Sequence, residues 1–451
     1  MIVSGANGSS FARDAGWGES AGMDDVIVIG AGAAGLMAAK DLTAKGFSTT
    51  IVEARDRVGG RIWSLEPSSA GFPIDAGAEF IHGRRNDVWE MARTAALSTH
   101  EVPDRHWRFA RNRLIETRSF WDDLATVLDR INPSLDPEQD FHSWLKHQRG
   151  IDKSSRERAW HFAEGFHAAP ADRISLYSVA TSHRASKETE GDAAFRINAG
   201  YGALAGWLLA QVLARGGRLL LGTRVKSIHW RPEFVEIHAE TSAGMRQLRA
   251  RAAVVTLPLG VLKSGAVRFE PALGPKADAI ERLQAGSVVK ISLLFRNRFW
   301  PVDNFGFIHS DEEWLPTWWA DERGLALVGW AGGPRAALLA QEGERAVLNE
   351  AIQAITRIFS VSEQSVREEL IQSFWHDWDH DPFTLGAYSY IPAGCGAMPQ
   401  LLGEPIAQTL FFAGEATDAN GHQGTVHAAL ASGRRAAAEI AARELRRFAV
   451  R

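Results

Sequence analysis

An α/β fold with a buried parallel sheet is predicted by three observations near the start of this 451-residue chain. A short β-branched run, Val26 to Ile29, lies between Asp25 and Gly30, the pattern of a parallel strand covered on both faces. Gly30, Gly32 and Gly35 follow in G-x-G-x-x-G spacing and open a helix from about Ala33 to Lys45, which Gly46 stops. A second strand, Thr49 to Val52, ends at Glu53.

Each part has a physical purpose. The glycines permit a tight turn, a close approach of backbone to a pyrophosphate and close helix-strand packing. The helix N-terminus offers unpaired N–H groups and the positive end of its dipole. Glu53, at the end of the second strand, is placed to accept hydrogen bonds from ribose hydroxyls and disfavours a 2'-phosphate, hence NADP. Glycine-rich turns alone occur by chance. Strand, helix and acid in one register specify a dinucleotide site.

Composition bounds the rest. A chain of this length with 45% hydrophobic residues is long enough for two domains with large cores. A formal charge of -4 and no long basic run argue against a nucleic-acid partner. Cys395 is the single cysteine, so no intrachain disulfide forms, which fits a reducing, cytoplasmic setting. No apolar run reaches membrane-spanning length, and no membrane association is expected. Residues 1–22, rich in Gly, Ala and Ser, have neither the basic start nor the apolar core of a secretion signal and read as a disordered leader before Met23. No Cys/His cluster or H-E-x-x-H pattern points to a metal.

The remaining elements follow in order. Ile74 to Gly83, IDAGAEFIHG, reads as a short apolar strand interrupted by Asp75, Glu79 and His82. From Asp87 to about Ser186 the charged pattern reads as a helical insertion outside the dinucleotide sheet. GYGALAGWLLAQVLARGG is a helix ended by Gly216 and Gly217, and LLLGTRVKSIHW and FVEIHAE are strands. Ala252 to Lys263 is a buried strand with a Pro turn. The strand VVKISLLF leads to a Trp-rich stretch, a helix from about Glu342 to Phe359, and then FWHDWDHDPFTLGAYSYIPAG. Leu410 to Phe412 is a last strand, ended by Ala413-Gly414-Glu415, and a helix follows from about Thr425. No internal repeat is present.

After Glu53 the sequence RDRVGGR, Arg55 to Arg61, completes a pattern that resembles the flavin-containing amine oxidase superfamily. The resemblance extends through the T-x-P-L-G-V-L-K turn, the Lys290 strand and the C-terminal AGEA segment, over nearly the whole chain beyond residue 23. It implies a noncovalent FAD held by Gly30, Gly32, Gly35, Glu53, Arg55, Gly59, Gly60, Arg61, Val225, Gly414, Glu415 and Val426. It also implies a Rossmann-like FAD domain of the p-hydroxybenzoate hydroxylase type interleaved with a mixed-sheet and helical substrate domain. The division expected is a leader over 1–23, FAD-binding segments 24–84, 200–285 and 385–451, and substrate-binding segments 85–199 and 286–384. The helix beginning at Thr425 and Val426 would aim its N-terminus at the flavin O2 region, where reduction places negative charge.

Lys290 is the catalytic candidate. A mid-strand ammonium must reach water, a partner or a cavity, because burying it unpaired is costly. Either it snorkels from an edge strand or it reaches a cavity; the resemblance selects the cavity, with a water near flavin N5 that assists reaction with oxygen. Around it the resemblance implies a substrate cavity of Tyr388, Thr425, His82, Glu79 and Trp378, with Trp375 on the flavin face. On residues alone, Tyr388 equally fits a core tyrosine with a satisfied hydroxyl, and His82 a buried imidazole bonded to a carbonyl. Thr425 stands where monoamine oxidases carry a second Tyr, a departure toward polyamine oxidases and histone-demethylase relatives. His427 is read as a structural core residue, and Trp300 and the tryptophans from 314 to 330 as core or cavity wall.

The resulting expectation is oxidation of an amine C–N bond to an imine with FAD as acceptor, hydrolysis to a carbonyl and an amine, and reoxidation by O2 to H2O2. A polyamine-like small molecule is the favoured substrate. An L-amino acid oxidase or another flavin oxidase or desaturase of the superfamily is the alternative, and would need a cavity Arg for the carboxylate. A flavoprotein that mainly binds a partner is a third reading, against which stand the missing tower insertion and basic run. Ala387 occupies the place of the cysteine that monoamine oxidases bond to FAD, and Cys395 lies too far along to replace it. Acid precipitation of the yellow protein is therefore expected to release all of its flavin into the supernatant; colour retained in the pellet overturns the noncovalent assignment.

Overall fold

The computed structural model describes residues 23–117, 120–132, 138–300, 305–310, 313–321 and 325–449; the predicted leader lies outside them. Its largest sheet has eight strands. Asp24–Ile29 lies beside Thr49–Val52, and that strand beside Arg218–Leu220, all parallel. On the other flank Asp24–Ile29 pairs in parallel with the second half of the long strand Gly244–Val255, Val26 opposite Ala252 and Ile29 opposite Val255. Leu410–Phe412 takes the far edge of the same half-strand, again in parallel. The first half of Gly244–Val255 instead turns back on Phe234–Thr241, which pairs with Arg224–Arg231 to make an antiparallel ribbon.

Thr49–Val52 and Leu410–Phe412 are buried at every position and Asp24–Ile29 at all but Asp25, as their apolar sequences require, whereas Arg218–Leu220 at the edge of the sheet is half-buried throughout. Helix Ala33–Ala44 covers one face, together with Gly202–Leu213 and the C-terminal helix Val426–Ala449. Contact between the first and last of these is close. A Cβ on Gly433 would stand 2.2 Å from the Ala34 carbonyl oxygen. Gly35 is excluded from bearing a side chain for a similar reason, with the Gly30 carbonyl oxygen 2.0 Å from where its Cβ would be.

A second sheet of seven strands runs Leu370–Trp375, Val288–Phe295, Ala326–Gly332, Thr317–Ala320, Phe307–His309, His106–Ala110 and Arg113–Thr117. Val288–Phe295 is buried at every position and has a partner on both sides, so Lys290 is not on an edge. Helices Pro334–Gln341, Glu344–Phe359 and Glu363–Glu369 close one face over a core of Ile291, Leu293, Trp318 and Ile355.

The stretch expected to be wholly helical between Asp87 and Ser186 is not. Thr99–Glu101 joins Ala194–Ile197 and Ile81–His82 in a three-stranded sheet, and His106–Ala110 with Arg113–Thr117 forms the end of the seven-stranded one. These strands are short and alternate poorly, with charges at Arg108, Arg113 and Glu116, so their periodicity is hidden. The helices Phe120–Leu128, Phe141–His147, Lys153–His167 and Leu176–Thr189 then form the expected helical body. Ile74 to Gly83 contains two separate two-residue strands, Ile74–Asp75 and Ile81–His82, rather than one.

Gly433→Ala gains about 1 kcal/mol of helix propensity but places a methyl against backbone that belongs to another helix. Overpacking of this kind costs about 1–3 kcal/mol, so a net fall in thermal midpoint is expected in a melting experiment.

Candidate active site

One cavity of about 580 Å³ runs from the first sheet to the second. At one end it is lined by Gly30, Gly32, Glu53, Arg55, Gly59, Gly60, Arg61 and Val225, and farther in by Gly414, Glu415 and Val426. Gly35, the remaining member of the predicted cofactor set, does not line it and acts through packing alone.

The chemistry of this end fits a dinucleotide. Helix Ala33–Ala44 has Gly32 as its N-cap and no side-chain cap, so its first N–H groups lack a protein side chain to satisfy them. A Cβ at Gly32 would meet only the Gly59 oxygen at 4.0 Å, and one at Gly414 nothing within 4 Å, so both backbones lie open to close approach. Glu53 is buried and oriented by the N–H groups of Ala31 at 2.8 Å and Arg55 at 2.9 Å. Glu415 accepts from Arg61 at 2.8 Å, the Ser389 hydroxyl at 2.6 Å and the Gly424 N–H at 3.0 Å. Arg55 spends one nitrogen on both oxygens of Asp381, at 2.8 Å each. Burial pushes the Asp381 carboxyl up, but His376, the Phe383 N–H and Arg55 pull it well below the usual range, to about 2.

At the other end the wall is aromatic. Trp319 stands edge-on to Phe80 at 5.2 Å, Phe80 to His82 at 6.0 Å, and His82 to Phe166 at 6.2 Å. The Tyr388 hydroxyl donates to the Phe166 carbonyl at 3.0 Å, and Tyr388 packs with Trp330 beside Val288 and Ala387. Trp330 lies directly across the strand pair from Lys290. Thr425 lines the same cavity and caps the last helix, accepting from the Ala428 N–H at 3.1 Å. Trp378 lines it too, whereas Trp375 packs into the core of the seven-stranded sheet. Trp318 is core, Trp319 and Trp330 are cavity wall, and Trp314 is exposed.

Lys290 reaches the cavity wall, with all three ammonium protons taken. It donates to the Asp75 carbonyl at 2.6 Å and the Gly77 carbonyl at 3.0 Å, and pairs with Glu79 at 2.5 Å. Glu79 also accepts from Arg196 Nε at 2.7 Å and Trp319 Nε1 at 3.0 Å. Burial alone pushes the Glu79 carboxyl up; the two cations and the hydrogen bonds outweigh it and hold it at about 2. Asp75, beside them, is raised by burial to about 6 against the pull of Lys290. Three imidazoles of the lining are kept neutral by burial: His82 and His167 at about 4, and His427 at about 3, where His422 and His82 add to the effect.

His427 therefore lines the cavity instead of facing the core, and its Nε2 is buried without a partner. Sequence reasoning also passed over Arg196, although a lone cation inside the apolar strand Ala194–Ile197 carries the same signal that singled out Lys290. Cys395 is buried in a different cluster and is not part of the lining. Among the described residues no group of His, Cys, Asp and Glu is arranged to hold a metal, and no helix is long and apolar enough to cross a membrane.

A dinucleotide cradle opening onto an aromatic chamber with a buried lysine defines the class: a cofactor-dependent redox protein. The chain belongs to the flavin containing amine oxidoreductase family, whose model matches residues 33–441. It is similar to polyamine oxidase 4 of Oryza sativa subsp. japonica, with 30% identity over 93% of this chain and 89% of that one. It is also similar to human lysine-specific histone demethylase 2, with 28% identity over 92% of this chain and 53% of the other. The chain thus spans about half the length of the histone demethylases it matches. Among solved structures, putrescine oxidase bound to putrescine shares the fold with a TM-score of 0.78 at 19% identity, covering 93% of this chain and 99% of that one. Cyclohexylamine oxidase from Brevibacterium oxydans IH-35A does so with 0.79 at 21%, covering 94% and 100%.

The raised Asp75 carboxyl has a measurable sign. Its folded value, about 6, lies above its ordinary value, so it costs nothing below about pH 4 and its cost grows until about pH 6. Asp75→Asn is expected to melt progressively higher relative to the parent protein as pH rises from about 4 to 6, and to keep a constant advantage above that.

Proposed function

We propose that this chain is an FAD-dependent amine oxidase with a polyamine-like substrate. The observation that carries the reading is the continuity of one cavity from the uncapped helix at Gly32, past Glu415 and Val426, to Lys290 and the wall of Phe80, Trp319, Trp330 and Tyr388. FAD, which Gly32, Glu53, Arg61, Gly414 and Glu415 would hold, would supply the two-electron acceptor for oxidation of the amine C–N bond to an imine, which water hydrolyses to a carbonyl and an amine, with O2 as the final acceptor giving H2O2.

The protein's own residues supply the rest. Glu53 would accept from ribose hydroxyls, and the N-termini of helices Ala33–Ala44 and Val426–Ala449 would favour negative charge on the cofactor's phosphates and reduced ring. The aromatic wall lowers the local dielectric and so favours the neutral amine, the form that has an electron pair available. It also holds the α-carbon in place, which removes orientational entropy from the reaction step. Lys290, fixed on three acceptors, contributes a stationary positive charge.

A polyamine-like substrate is supported by the mouth. Beyond Phe120 and Trp121 the cavity adjoins a recess lined by Asp104, Glu116, Asp122 and Asp192, with Arg105 among them as the counter-charge to Glu116 at 3.0 Å. A substrate that reacts as a neutral amine inside and keeps a second ammonium at the mouth satisfies both environments. Polyamines are expected to bleach the yellow protein under anaerobic conditions faster than monoamines, and amino acids not at all. Lys290→Met is expected to retain FAD and to slow flavin reduction or reoxidation by at least about tenfold, a barrier change of about 1.4 kcal/mol. Unchanged stopped-flow kinetics remove Lys290 from the mechanism.

A further inference from the structure

An amine reaches the acidic recess as a cation and reacts in the aromatic chamber as a neutral molecule, so it sheds a proton between the two. The scale of the problem is large. An alkylammonium resembles the lysine side chain, whose ordinary pKa of about 10.4 leaves roughly one molecule in two thousand neutral at pH 7. The inner wall is poorly equipped to take the proton. Burial holds His82 and His167 at about 4 and His427 at about 3, with no carboxylate opposing it, and Lys290 and Arg196 keep Glu79 ionised.

The mouth is built differently. Lys290, Trp330, Thr317 and His309 face one another across adjacent strands of the seven-stranded sheet, and all line the cavity. Three strand spacings, roughly 14 Å, separate Lys290 from His309. His309 Nε2 lies 2.9 Å from His106 Nδ1, and His106 Nε2 lies 2.9 Å from Asp104. A carboxylate only accepts, so His106 donates to Asp104 through Nε2, which leaves Nδ1 to accept from His309. Phe120 lies flat on both imidazoles at 4.4 Å, and Trp121 Nε1 donates to Asp104 at 3.1 Å. The chain runs from inside to outside. His106, with its side chain 6% exposed, lines both chamber and recess, whereas Asp104, 60% exposed, lines the recess alone. Burial lowers the His106 pKa, but Asp104 opposes it through both its charge and its hydrogen bond. Arg108 sits across the strand pair from His309, with Arg335 on the same cavity wall. Around His106 the recess adds Arg105, Glu116, Asp122 and Asp192, an excess of negative charge that favours passage of a proton outward.

We propose that His309, His106 and Asp104 form a proton relay that strips the entering ammonium at the chamber mouth. The ammonium gives one N–H proton to the imidazole pair, which becomes imidazole and imidazolium. His106 passes its Nε2 proton to Asp104, and the carboxylic acid releases it to water in the recess. For each N–H or O–H bond broken another forms, no electron moves, and the amine continues inward with its electron pair free. The inference rests on the amine oxidase reading above and assigns these residues a role in proton transfer, apart from the flavin.

Anaerobic bleaching of the flavin by spermidine, as a second-order rate between about pH 6 and 10, tests the relay. His106→Ala and Asp104→Asn are each expected to retain FAD and, at neutral pH, to bleach at least about tenfold more slowly than the parent protein. The deficit is expected to vanish near about pH 10, where the amine arrives neutral. Asp122→Asn removes the same charge from the recess without touching the chain, and is expected to change the rate by less than about threefold. Unchanged rates, a deficit of equal size at every pH, or an equal deficit in Asp122→Asn each overturns the proposal. Should His106→Ala fail to fold, the exposed Asp104→Asn and its Asp122→Asn control decide alone. If no amine bleaches the parent protein, the oxidase reading falls, and proton release on mixing the same protein with spermidine, followed with an indicator dye, judges the relay. Release at least about tenfold slower in Asp104→Asn than in the parent upholds it; equal rates or no release overturn it.

Discussion

Everything in this molecule depends on strand Gly244–Val255 having two different neighbours on two different halves. Its second half is wedged between Asp24–Ile29 and Leu410–Phe412, elements that lie near opposite ends of the chain. That single insertion brings the glycine turn after Ile29 and the Gly414-Glu415 turn after Phe412 to the same edge of one sheet. A long cofactor needs contacts at both of its ends, and no local stretch of sequence is long enough to supply them. The sheet does so by juxtaposing the carboxyl ends of its parallel strands, where open α/β sheets place their ligands. The tight fit of Gly433 on Ala34 locks the arrangement from the side, because the last helix approaches the first more closely than any residue with a side chain allows.

The second sheet is joined to the first through charge. Glu79, on the segment that follows the cradle, receives Lys290 and Trp319 from the seven-stranded sheet and Arg196 from the three-stranded one. Buried ions are worth having only when each is matched and hydrogen-bonded, and removing one member leaves its partner stranded. The cluster therefore serves as a geometric reference: the chamber's floor and wall hold their relation to the flavin end because moving either would separate buried charges.

What the sequence disclosed follows from how local each signal is. The glycine spacing, Glu53, the GG-R turn and the Gly414-Glu415 pair of the AGEA segment are short motifs whose chemistry is set by neighbours in sequence, and they line the cavity as a group, Gly35 excepted. Lys290 was visible because a charge in an apolar strand violates the pattern around it. Its partners were not, since Asp75, Gly77 and Glu79 lie more than two hundred residues away and nothing in periodicity links them. The strands His106–Ala110 and Arg113–Thr117 were hidden for another reason: with polar residues on both faces they look like loop or helix, and only their pairing with each other, and of His106–Ala110 with Phe307–His309, makes them strands. His427 was misplaced because an imidazole at the start of an amphipathic helix reads the same whether it turns inward to a core or toward a void.

The Tyr388 hydroxyl is committed to the Phe166 carbonyl, as Trp319 Nε1 is to Glu79, so these two rings offer a visitor faces and edges instead of donors. A chamber that grips by dispersion and shape discriminates weakly between homologues, since one methylene in an apolar pocket is worth only about 1–3 kcal/mol. Tolerance is thereby built into the wall. Lengthening or branching a ligand alters how well it fills the space but leaves no hydrogen bond unmade, and a protein of this construction is readily redirected by exchanging one large ring for another.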